Sequence, residues 1–126
     1  MWNLFRKTPR AEPFPKPAWP PIQQLDRIDL AAPRADGGLD LFLVASQPLD
    51  GSTETLANLR EKFGTYLATL DSEEFQTDMK HPPRDRTTII LVCEHPIHPA
   101  AHAVIEECRL EAAIHGLRFQ LRTTHG

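Results

Sequence analysis

Thr87-Thr88-Ile89-Ile90-Leu91-Val92-Cys93, running directly into Glu94-His95-Pro96-Ile97-His98-Pro99, is the stretch on which the fold turns. An almost unbroken apolar run of strand length is the pattern of a strand buried on both faces, the internal strand of a sheet. Pro99 suits the first turn of a helix, where no amide donor is needed. The chain therefore reads as strand, short loop, helix. Ligands in sheets of this kind gather at the carboxyl ends of the strands. Here that end is bordered by Glu94, His95 and His98, with His102 one turn further on.

Outward from this unit, a helix is expected from Pro99 to about His115, closed by Gly116 as its C-terminal cap. A strand follows at Leu117 to Thr123, where Leu117, Phe119 and Leu121 alternate with Arg118, Gln120 and Arg122. That alternation marks a strand with one wet face. Upstream, Asp26 to Ala31 and Leu39 to Ser46 read as two strands joined through Asp36-Gly37-Gly38, a hairpin turn signal. In the second of them Leu39, Leu41, Leu43 and Ala45 share a face opposite Phe42 and Val44. Ser52 caps a helix over Thr53 to Leu70 whose apolar stripe is Leu56, Leu59, Phe63, Leu67 and Leu70. Gly64 inside it costs about 1 kcal/mol relative to alanine, and close packing against a neighbour is one reason to keep it. Asp71 or Ser72 restarts a short helical turn, Glu73 to Met79, ended by His81-Pro82-Pro83.

The order is ββαβαβ. With right-handed crossovers it predicts an α+β fold, an α/β two-layer sandwich. Its four-stranded mixed sheet has the order 1-2-3-4, with two main helices on one face. Six of the twelve prolines fall between Pro9 and Pro21. Residues 1–21 are therefore expected to form an extended or disordered leader, and residues 22–126 a single α/β domain. The leader admits a polyproline ligand at Pro17-Ala18-Trp19-Pro20 or a weak membrane contact through Trp2, Leu4 and Phe5. A flexible leader, or one folding back to bury Trp19, is the plainer expectation.

Arg6, Lys7, Arg10 and Lys16 against Glu12 give the leader a charge of +3, leaving −6 on the remainder of a chain at −3. An acidic body lacks the clustered bases that displace counterions from nucleic acid, so no nucleic-acid partner is expected. No segment is apolar and long enough for a signal peptide or a membrane span, which makes the cytoplasm the default compartment. Cys93 and Cys108 are too few for a disulfide scaffold and read as two reduced, buried thiols.

Chemistry has few places to reside. His98, His102 and Glu106 follow one another at four-residue spacing, a pattern that can converge on a metal ion. They lie on the polar side of the helix, however, and His98 doubles as its N-cap, so a solvated face is the stronger reading and no metal or cofactor is assigned. Cys93 shares a face with His95 if the strand continues, but a buried thiol beside Glu94 is a poor nucleophile. No catalytic residue is assigned. A phosphate-cradling glycine loop, a nucleophile elbow and a paired-carboxylate motif are all missing. The last helix carries Ala103, Leu110 and Ile114 on a second apolar face, about 180° from its core stripe of Ala101, Val104, Ile105, Cys108 and Ala112. Contact with the first helix is the plain explanation; an intermolecular surface is the other.

Asp26-Arg27-Ile28-Asp29, Asp36-Gly37-Gly38, Leu59-Arg60-Glu61-Lys62-Phe63-Gly64-Thr65-Tyr66-Leu67 and Gly116-Leu117-Arg118-Phe119 together resemble a family of small bacterial proteins carrying an uncharacterised α/β domain. The resemblance spans Leu25 to Thr123, about four-fifths of the chain. It implies the fold and no active site. The Pro-rich leader and the histidines around Pro96 depart from that pattern. The leading expectation is a non-enzymatic protein-binding module, an adaptor or an immunity protein that neutralises a bacterial toxin. Its partner surface is drawn from His95, His98, His102, Glu106, Leu110 and Ile114. The competing classes are a metal-dependent or thiol enzyme at the histidines and a self-assembling module, including a homodimer.

Overall fold

The computed structural model describes residues 19–123. The Pro-rich leader lies, up to residue 18, outside the described residues. Four strands, β1 (Leu30–Pro33), β2 (Leu39–Ala45), β3 (Thr87–Cys93) and β4 (Arg118–Arg122), form one sheet in the order β1-β2-β3-β4. β1 runs antiparallel to β2, while β2, β3 and β4 are parallel. The helices are α1 (Thr53–Asp71), α2 (Glu73–Asp78) and α3 (Pro99–Ile114). This is the expected mixed, two-layer arrangement with β3 inside.

β3 owes its place to composition. Ile89, Leu91 and Cys93 face the helices and are essentially fully buried, and Ile90 is 1% exposed on the other side. Leu39, Leu41, Leu43 and Ala45 of β2 join the same helix-side core as Leu59, Phe63, Tyr66 and Leu70 of α1 and Ala101, Val104, Ile105, Cys108 and Ala112 of α3. One continuous cluster means that both long helices cover one face of the sheet. Phe119 and Leu121 of β4 complete it, while Arg118, Gln120 and Arg122 face solvent.

Local chemistry sets the ends. Ser52 Oγ accepts from Thr55 N (3.2 Å) to start α1, and Ser72 Oγ accepts from Phe75 N (3.2 Å) to start α2. Satisfying such orphan amides contributes roughly 1 kcal/mol per helix. α3 stops where Gly116 takes φ +77°, with Leu117 N donating to Ala112 O (2.9 Å) and Gly116 N to Ala113 O (3.0 Å). That paired closure is the left-handed glycine cap expected from sequence. In the hairpin Gly37 sits at φ +87°, and a side chain at Gly38 would meet Arg34 and the Arg86 carbonyl.

Two expectations need correction. β1 begins at Leu30, not Asp26. Residues before it turn instead, with Gln24 at φ +52° and Arg27 N donating to Gln24 O (3.2 Å). The Asp29 carboxylate takes the Val44 amide (2.9 Å) that a longer strand would have paired. The α1 stripe is rotated: Lys62 and Tyr66 are fully buried, whereas Leu56 and Leu67 are only partly so. Trp19, which only one form of the leader expectation buried, is 52% exposed.

Lys62 explains both of the first two differences. Its ammonium donates to Gln23 O (2.5 Å), Gln24 O (2.9 Å) and Asp29 Oδ1 (2.7 Å). Tyr66 OH accepts from Asp29 N (3.0 Å) and donates to Phe42 O. Thr65 Oγ donates to Leu25 O (2.6 Å). Residues 23–29 are therefore latched onto α1 by polar groups that satisfy one another, the condition on which burial of such groups is tolerated. Burial pushes the Tyr66 phenol well above the usual tyrosine range, so it stays a donor.

Candidate docking surface on the helix layer

Beyond the carboxyl ends of β2 and β3, where ligands usually bind, the two loops pair with each other. Leu49 and Ile97 form a parallel bridge, with Leu49 N donating to Pro96 O (3.0 Å) and His98 N to Leu49 O (2.8 Å). The bridge continues the register that sets Leu39 opposite Thr87 and Ala45 opposite Cys93. Two loops of similar build, Gln47-Pro48-Leu49 and His95-Pro96-Ile97, thus pair with each other beyond the strand ends. Leu49 is completely buried there. Asp50 lies beside them, its pKa drawn both ways. Burial pushes it up, but hydrogen bonds from Thr55 and Ser52 win and hold it below the ordinary aspartate value.

The histidines do not assemble into a site. His98 Nδ1 accepts from Ala100 N (3.0 Å), so it acts as the N-cap of α3. Its ring also packs on Gly51, where an added Cβ would fall 2.6 Å from Nδ1. His102 is exposed, and Glu106 pairs with Arg109 (3.3 Å). Among the described residues no three His, Cys, Asp or Glu side chains are grouped to hold a metal ion. β3 ends at Cys93, so His95 does not extend it onto the cysteine's face as the sequence reading allowed. The Cys93 thiol instead donates to the His95 carbonyl (3.3 Å). Burial raises the Cys93 pKa and pushes that of Cys108 up to about 12, which keeps both as protonated thiols at neutral pH.

The helix layer is different. Leu110 is 60% exposed and Ile114 79% exposed, with Ala103 exposed above them on the same side of α3. The expected contact with α1 is absent for this strip. α1 meets α3 lower down, through Arg60 reaching Glu107 with both guanidinium arms (3.0 and 3.1 Å). Gly64 does not serve close packing either, because a Cβ there would meet nothing within 4 Å. It borders a groove of about 260 Å³ between the helices, lined by Arg60, Phe63, Gly64, Leu67, Glu107, Cys108 and Glu111. Periodicity on α3 flagged Leu110 and Ile114; the groove had no signal beyond the glycine itself.

No family model, curated protein or solved structure matches this chain. Among the described residues no helix is long and apolar enough to cross a membrane.

Large apolar side chains standing in water beside a groove are the usual mark of an interaction surface. Here the groove offers Phe63 and Leu67 as an apolar floor. Glu107 and Glu111 at its side keep carboxylates in solvent, with side chains 56% and 51% exposed. The geometry can seat an apolar side chain and pair a cation beside it.

Proposed function

We propose that this protein is a non-enzymatic protein-binding module whose docking surface is the outer strip of α3 with the adjoining groove. The observation that carries the reading is the exposure of Leu110 and Ile114 on one side of a single helix, near a groove lined in part by Gly64. Two features support it. The loops after β2 and β3 are tied to each other by the Leu49–Ile97 bridge, and both thiols are held protonated by burial. A partner presenting apolar side chains flanked by Lys or Arg matches the strip and its glutamates. An adaptor works in this way, as does an immunity protein holding a basic toxin.

Photocrosslinking tests the proposal. A benzophenone amino acid at Ile114 is expected to give discrete protein adducts in host cells, and one at exposed Glu74 on α2 is not. Equal adduct yields from the two positions would overturn it.

A further inference from the structure

Both long helices, and Phe75 and Met79 from the α2 region, contribute to the cluster on one side of the sheet. The other side presents Leu30, Phe42, Val44, Ile90 and Val92, set together by the strand register. Their exposure is uneven. Leu30 and Val44 are 56% and 43% exposed, and Phe42 and Val92 are half-buried. Ile90 is 1% exposed, although it stands outside the helix-side cluster. Of the charged groups on this side, Asp40 is paired with Arg34 (2.5 Å), while Arg118 and Arg122 come from the edge strand β4.

The described chain begins at Trp19, at a corner of this face. Pro21 O accepts from Ser46 N (2.9 Å) and from Ser46 Oγ (3.4 Å). Ser46 follows β2 directly, and by the alternation of side chains it shares the side of Phe42 and Val44. Before Trp19 the sequence reads Ala11-Glu12-Pro13-Phe14-Pro15-Lys16-Pro17-Ala18. Alternate prolines favour polyproline II, with three residues per turn. That period sets Ala11, Phe14 and Pro17 on one side and keeps Glu12 and Lys16 off it. Lengths agree as well: residues 11–18 would reach about 25 Å in that form, and the seven residues of β2 span about 23 Å. A sheet uses its backbone groups in its own ladder, so its face offers a covering chain no hydrogen-bond partners. A stretch in which every second residue is proline carries few amides that need one.

We infer that residues 11–18 of this chain are a strap that lies across the helix-free face of the sheet and seats Phe14 over Ile90 and Val92. Phe14 comes five residues before Trp19, about 15 Å along a polyproline II path. Ile90 stands opposite Phe42, four residues before Ser46 and so about 13 Å below it. The tether decides the occupant. Joined to the sheet at Pro21, the segment is held near this face at an effective concentration on the order of millimolar, ahead of a free partner. Charge does not oppose it: Glu12 and Lys16 cancel within the strap, and the bases Arg6, Lys7 and Arg10 fall outside it. The outer strip of α3 is on the other layer and stays free, so the strap and the docking surface stand or fall separately.

A nitroxide attached to Glu12→Cys in the full chain tests this, since Cys93 and Cys108 are buried and stay unlabelled at neutral pH. In methyl spectra the Ile90 and Val92 signals are expected to vanish in the oxidised state and return on reduction with ascorbate. Those of Leu110 and Ile114, beyond the helix layer, should persist and so verify that the body is folded. Adding Phe14→Asp should restore most of the Ile90 and Val92 intensity, whereas Phe5→Asp should leave it lost. A mixture of spin-labelled chains without isotope and isotope-bearing chains without the label should show no loss, because the strap serves its own sheet. Ile90 and Val92 signals that persist in the oxidised state overturn the inference. So does a loss that carries over into the mixture, or a Phe14→Asp chain that behaves like its parent.

Discussion

Replacing Lys62 by methionine preserves the length of the aliphatic stem and removes only the charge at its end. The stem lies in the core with no exposed surface, and the ammonium is the sole cation on Asp29 Oδ1, Gln23 O and Gln24 O in the contacts described. Taking it away strands a carboxylate whose side chain is 19% exposed, together with two backbone carbonyls. Breaking a buried ion pair from one side typically costs about 3–5 kcal/mol. Asp29 keeps the Val44 amide and some water, which argues for the lower end, about 3 kcal/mol. A domain of roughly a hundred residues has about 5–15 kcal/mol in total. The variant should therefore fold while melting about 10–20 °C lower.

Urea titration followed by circular dichroism measures the loss directly, and a double-mutant cycle isolates its cause. In an Asp29→Asn background the Lys62→Met change should cost about 1–2 kcal/mol less, because no carboxylate charge is left unpaired. A loss below about 1 kcal/mol, or no coupling between the two positions, would show that the latch over residues 23–29 does not depend on this ion pair.

Asp50 is held below its ordinary pKa in the folded state, so its contribution is complete above about pH 4 and is lost as pH falls through the folded value. Asp50→Asn should accordingly flatten the loss of stability on acidification below about pH 4, measured by urea titrations across pH. Cys93 and Cys108, both raised by burial, should react with a thiol reagent at neutral pH no faster than the protein unfolds, and promptly once urea is added. Gly64→Ala should stabilise the fold by about 1 kcal/mol, since the new methyl meets nothing within 4 Å; a destabilised variant would mean that the groove closes in solution.

Sequence carried the sheet further than it carried the surface. β3, the Pro99 start of α3 and the Gly116 cap were legible because each follows from a local rule: continuous apolarity, a dispensable amide, a left-handed glycine. β1 was misplaced because Asp29 uses its side chain where a strand would use its backbone, and alternation alone cannot reveal that choice. Lys62 and Tyr66 escaped the α1 stripe because each has a polar end, so their burial depends on partners 33 or more residues away in the case of Asp29 and on the Phe42 carbonyl for Tyr66. The second apolar side of α3 was visible from its spacing. Whether α1 covered it was not, since that depends on how far apart the helices stand at Gly64. The histidines drew attention as a group, yet their backbone places one as a cap, one in a loop and one in solvent.

Methyl-resolved NMR with a soluble paramagnetic agent reports most directly on whether the α3 strip is a contact in solution. On raising the protein concentration or adding host-cell extract, the methyls of Leu110 and Ile114 should lose their relaxation enhancement, while Leu56 and Leu67 change little. Leu110 and Ile114 methyls that stay fully accessible at the highest concentration, and also when host-cell extract is added, would contradict the assignment of that strip as a docking surface.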